Sequence, residues 1–213
     1  MGDIGVCNVP KWFQFVDKMT PAQRCKLAEA DVECMLEIKS IRLRKSVLTL
    51  MVKAFDPNAD KFIIRKNHPG ITIRGVDVEE IFGLKDKPDG LVVEDIIFEE
   101  GDYAMHEIPS KFLNRSTGNL KIDDLIADAI KYGVADDDFL RRAVLVLLGT
   151  VIAPQSLITI PKRYYAVVKE VRRMKKMNFN GYTRTFLFEN LKKLESGYEM
   201  RQWPYGNLAL LQV

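Results

Sequence analysis

The chain has 213 residues, 47% of them apolar, and a formal net charge of +3. That is apolar material enough for one large domain or two small ones, and too small a basic excess for a histone-like or tail-like nucleic-acid binder. Three cysteines, Cys7, Cys25 and Cys34, show no paired spacing; they argue against a disulfide framework and for a reducing, intracellular compartment, nucleus or cytoplasm.

The opening "MGDIGVCNVPKWF" has no basic region followed by an apolar run, so it does not read as a secretory signal. Val6 stands where a myristoylation motif wants Ser or Thr. Residues 1–36 read as N-terminal helices. "KWFQFVDKM" is amphipathic. In "TPAQ", Thr20 caps, Pro21 takes the first helical position and Gln23 reaches back, which is a capping box. That helix is expected to run to about Ala30, with Asp31 capping the next piece, "VECMLEI".

Residues 37–84 read as a helix–hairpin–helix unit. In "SIRLRKSVLTLMVKAF", Ile41, Val47, Leu48, Met51, Val52 and Phe55 recur near a helical period, and Asp56-Pro57 ends the run. "KFIIRK" and "GITIRG" are rich in β-branched residues and joined by "NHPG", which predicts a small β-hairpin over residues 61–74. Asp77 then caps "VEEIFGL", with Gly83 near the stop.

Residues 85–118 carry Pro88, Gly90, Gly101, Pro109 and Gly118 and read as an irregular connection, with "FEEGD" a polar turn. Residues 119–213 read as a helical half. "LKIDDLIADAIKYG" closes at Gly133. "ADDDFLRRAVLVLLGTVIA" has an acidic start and an apolar interior. "ITIPKRYYAVVKEVRRMKKM" starts at Pro161 and ends basic. "NGYTRTFLFENLKKLESG" closes at Gly197. The apolar run Ala143–Ala153 is too short to span a bilayer, so no membrane is expected. The fold class is therefore mainly α, a single helical domain with one small hairpin between helices.

The order of motifs resembles the plant mobile domain, the type found upstream of ubiquitin-like-protein protease domains. "LTLMVKAFDPNADKFIIRKNHPGITIRGVDVEEIFGLKDKPDG" is similar to that family's helix ending in FDP, strand and D-V-x-x-V-x-G-L element, through Phe55-Asp56-Pro57, Ile71-Thr72-Ile73, Asp77-Val78, Ile81 and Gly83-Leu84. "DDFLRRAVLVLLGTVIAP" resembles its FLR-to-proline segment, and "GNLALLQV" its last element. Lys85 replaces the family's proline, and Asn207 the cysteine of its glycine-cysteine pair. The resemblance covers most of the chain after Glu37. It implies a plant protein derived from, or carried by, a transposable element, and it brings no catalytic residues with it.

Nothing in the residues points to chemistry. There is no Walker loop, no GxSxG and no HExxH. Two histidines, His68 and His106, offer no metal spacing, so neither cofactor nor metal is expected. Cys25 and Cys34 read as buried free thiols, and Asp136-Asp137-Asp138 as capping and dipole charges rather than a calcium loop. The expectation is a binding module that is not an enzyme and acts mainly on protein.

Two surfaces are candidates. Lys162, Arg163, Lys169, Arg172, Arg173 and Lys176 recur along one helix beside Tyr164 and Tyr165, and would form a nucleic-acid contact unless they are simply a solvated face. A hairpin "wing" carrying Arg65, Lys66 and Arg74 would add to it, unless Ile63, Ile71 and Ile73 pack it onto the core. Trp203, Tyr205, Leu208, Leu210 and Leu211 form an apolar end that either docks on its own core or offers a protein or homo-oligomer interface. A further reading, toxin or antidote in a selfish gamete-killer system, follows from the transposon-like character and from no residue.

Overall fold

Residues 9–38, 43–155, 158–194 and 203–212 are described by the computed structural model of the chain. Helix α1 (Val9–Asp17) buries Val9, Trp12, Phe15 and Val16, spaced to share one face. Helix α2 (Pro21–Lys26) begins in the expected capping box: Gln23 N–H donates to Thr20 Oγ1 at 3.2 Å, and Thr20 N–H to Gln23 Oε1 at 3.0 Å. The Gln23 amide is fully buried and also donates to the carbonyls of Ala129 and Val134. One capping residue thus ties the N-terminal helices to the second half of the chain. Asp31 does not open a helix. At φ 57° it closes the 3₁₀ turn Leu27–Ala30, a second 3₁₀ turn follows at Glu33–Leu36, and its carboxylate is taken by Lys87 at 2.6 Å.

Helix α3 (Lys45–Ala54) stops one residue before Phe55, because Phe55–Asp56 (β1) pairs antiparallel with Lys61–Phe62 (β2). The part of the predicted helix at Ile41 and Arg42 lies outside the described residues. The expected hairpin over 61–74 is correspondingly redistributed. Its second arm contributes only a bridge, Phe62–Ile71, with hydrogen bonds of 2.7 and 3.0 Å. Phe62 is the anchor: its ring meets Phe55 at 5.3 Å and Phe188 at 6.1 Å, and aromatic pairs of this kind fix a short strand better than its few ladder bonds do. Helix α4 (Gly75–Phe82) is capped by Arg74. Asp77 is its third residue, accepting the Arg74 N–H at 2.7 Å, and Gly83 ends the helix at φ 71°.

The largest departure falls in residues 85–118. Helix α5 (Val93–His106) occupies much of that span and includes "FEEGD". Its Gly101 is buried, and a side chain there would stand 3.1 Å from Arg163 Cβ. The glycine is a point of close approach between elements, not a helix breaker.

Strand β3 (Leu120–Lys121) leads into helix α6 (Ile122–Ile130), and Asp136 caps helix α7 (Asp137–Leu147) by accepting the Phe139 N–H at 2.7 Å. Beyond Leu147 the helix widens into a π turn, Leu148–Ile152. Strand β4 (Thr159–Ile160) returns to pair with β3. Helices α8 (Tyr165–Lys169), α9 (Val171–Met174) and α10 (Phe179–Lys192) follow, and the chain ends in a 3₁₀ turn, Leu208–Gln212, packed on α3. One buried cluster runs from Val9 to Leu211, so the fold is a mainly α single domain carrying two small antiparallel sheets. Among the described residues no helix is long and apolar enough to cross a membrane. The apolar run on α7 is wholly buried.

Candidate functional site

The predicted basic helix is broken. Residues 162–164 form a 3₁₀ turn, and Glu170 (φ −106°, ψ 98°) separates α8 from α9. The six basic residues therefore do not share one helical face. Three of them are met by α5 or the residue just past it. Arg173 forms a two-pronged pair with Glu100, Arg163 reaches Asp102 at 3.1 Å, and Lys169 pairs with Glu107. Arg172 and Lys176 stay exposed and Lys162 is half-buried. Tyr164 and Tyr165 face inward, so neither ring is available for base stacking. Tyr164 accepts a hydrogen bond from Gln155 at 2.8 Å and one from Tyr182 at 3.0 Å, and burial pushes its hydroxyl up to about 12.

The apolar end is docked. Leu208, Leu210 and Leu211 are buried, as is Trp203, and only Tyr205, 43% exposed, reaches solvent. Asn207 is the latch. Its fully buried amide donates to the Val151 carbonyl at 2.8 Å and accepts from Ala209 N–H at 3.1 Å. A π turn leaves carbonyls without their usual partners, and here a side chain from the C-terminal segment takes one. Of the five residues read as an interface, four are core.

The 61–74 loop behaves in the opposite way. Ile73 is buried as expected, but Ile63 and Ile71 are exposed, correcting the expectation that the hairpin would bury them, and Ile64 is exposed beside them. One bridge is too little pairing to turn both arms inward. Arg74 is held by Asp77 at 3.1 Å, whereas exposed Lys61, Arg65 and Lys66 have no acidic partner among the described residues.

The thiols also differ from expectation. Cys25 is exposed on α2. Cys34 is half-buried, and burial pushes its thiol up to about 11, the opposite of what a nucleophile needs. Cys7 lies outside the described residues. Asp136 caps α7, as read, and Asp137 and Asp138 pair with Lys26 and Lys111. Among the described residues, no group of three or more His, Cys, Asp or Glu is arranged to hold a metal.

A family model described as a domain of unknown function matches residues 6–212. No curated protein and no solved structure matches the chain.

Proposed function

The chain belongs to that family, DUF8566, and we propose that it is a non-catalytic binding module that engages a partner protein through the loop 61–71. The observation that carries this is the exposure of Ile63, Ile64 and Ile71, at 42%, 43% and 57%, on one short loop. Three exposed isoleucines within one short loop supply the apolar side chains that an interaction site uses. Lys61, Arg65 and Lys66 around it, without an acidic partner among the described residues, set the partner's chemistry: a protein segment with apolar side chains bordered by carboxylates. A nucleic-acid backbone would satisfy the cations but leave three isoleucines facing phosphate and water, which disfavours it. The likeness to the plant mobile domain supports placing the module in a transposon-associated plant protein acting in the nucleus or cytoplasm.

The test compares tagged wild-type chain with the I64D/I71D variant in affinity capture from plant cells, alongside a gel shift on duplex DNA. Loss of a specific, acidic-segment partner by a variant with unchanged melting supports the reading. If the variant keeps every partner, or if the wild type shifts DNA with a steep salt dependence that K61E/R65E/K66E abolishes, the reading fails.

A further inference from the structure

Arg142 sits at the middle of α7 with only 8% of its surface exposed. Its guanidinium carbon lies 4.2 Å from the Phe112 ring centroid. Nη1 donates to the Asp138 carbonyl at 3.2 Å, its one hydrogen bond among the described residues, and Nε is buried without an acceptor. Two of the neighbouring carboxylates are engaged elsewhere. Asp138 is held by Lys111 and by Arg141, the latter at 2.9 Å, and Asp136 caps the helix. Asp128 and Asp136 act on Arg142 only through space, and burial lowers its pKa. A guanidinium taken this far out of water with no carboxylate hydrogen-bonded to it among the described residues is costly. Stacking on Phe112 and the rigidity of α7 hold its planar fork in one orientation.

The same residue lines a cleft of about 640 Å³ between residues 110–115, α6 and the start of α7. That volume lies within the range of small-ligand sites and far exceeds one bare anion. Exposed Arg115 and Lys131 stand at its margin, but so does exposed Asp128, which accepts no hydrogen bond among the described residues. A polyphosphate would face Asp128 and Asp136. A single planar carboxylate with N–H donors beside it carries less charge to be repelled, and Asp128 is there to accept from the donors.

We propose that this cleft binds a carboxylate flanked by N–H donors, such as the C-terminus of a peptide or a free amino acid, with Arg142 gripping the carboxylate two-pronged and Asp128 receiving the donors. The site is separate from the loop 61–71 and stands or falls independently of it. A fixed guanidinium fork matches a carboxylate's two oxygens, and such pairs are about twice as strong as neutral hydrogen bonds.

The test follows the Arg142 Nε–H resonance of the full chain by NMR during titration with trialanine, trialanine amide, alanine, acetate and inorganic phosphate. Trialanine should move the resonance saturably and its amide should not. Alanine binding as well as trialanine assigns the carboxylate to amino acids, and weaker alanine binding assigns it to a peptide end. R142K, which keeps the charge but loses the fork and is followed through the backbone amide resonances of residues 110–115, should weaken binding at least about tenfold. D128N, on the surface, should weaken it too and leaves the fold intact whatever R142K does. The proposal is overturned if no carboxylate shifts the resonance, if the amide binds equally, if phosphate binds tightest, or if folded R142K or D128N binds like wild type.

Discussion

Arg173 donates from Nη1 and Nη2 to the two carboxylate oxygens of Glu100, at 3.0 and 2.9 Å, across 73 positions of sequence. The pair joins α9 to α5 and ties down a basic segment that reads, in isolation, as a nucleic-acid contact. Both side chains remain partly solvated, at 30% and 39% exposure, so solvent screens part of the attraction. A double-mutant cycle with E100Q and R173Q, read by urea denaturation, should give a coupling of about 0.5–1 kcal/mol. A coupling near zero would mean the two-pronged geometry does not persist in solution.

Releasing the basic segment should change how the protein meets phosphate. The E100Q/D102N/E107Q variant frees Arg173, Arg163 and Lys169. It should bind duplex DNA more tightly than wild type at low salt and lose that gain as salt rises. Gel shifts at two salt concentrations check this. Equal, salt-insensitive retention of both proteins would contradict it.

The C-terminal segment should be part of the folding unit. Removing residues 203–213 should abolish cooperative unfolding, and Leu208→Ala alone should destabilise by about 2–5 kcal/mol, the range for a fully buried leucine. Circular dichroism with denaturant measures both. A truncated chain with a sharp transition would show that the docked turn is dispensable.

Gly149 lies where a Cβ would stand 2.6 Å from Ile160 Cγ1. Gly149→Ala should therefore destabilise by about 1–3 kcal/mol, through overpacking between the π turn and β4. Ile160→Ala removes the clashing atoms, so the double variant should be more stable than the sum of the two single changes implies. Strict additivity would place the glycine's role elsewhere.

Glu94 is half-buried on α5, and burial raises its pKa above the ordinary 4.5. A carboxyl raised in the folded state favours folding when protonated, and that contribution is lost as pH rises through its folded pKa. Glu94→Gln should accordingly stabilise the protein at neutral pH and offer no advantage below about pH 4.5. Melting temperatures across pH 3.5–7.5 test the sign. A variant less stable than wild type at neutral pH would show that polar contacts to the carboxylate outweigh the burial.

Local rules carried much of the fold in the sequence alone. Thr20 with Gln23, Asp136 before α7 and Gly83 after α4 are capping residues whose partners lie within a few positions, so their roles follow from spacing. The mainly α class follows for the same reason. The tertiary structure decided what depends on distant partners. Gly101 and the charges of "FEEGD" read as a turn because helix propensity penalises glycine, yet α5 forms there. Its acids meet Arg163 and Arg173, Glu107 just past it meets Lys169, and its glycine lets Arg163 approach. Trp203 and the final leucines carry the composition of an interface and became core because α3 and the π turn left a surface for them to cover. Ile63, Ile64 and Ile71 carry the composition of core and stayed exposed, because one bridge at Phe62 could not turn the second arm inward. Arg142 gave no sign in the sequence. Its lack of a hydrogen-bonded carboxylate among the described residues depends on Lys111, Arg141 and the α7 cap, which the fold brings together to occupy Asp138 and Asp136.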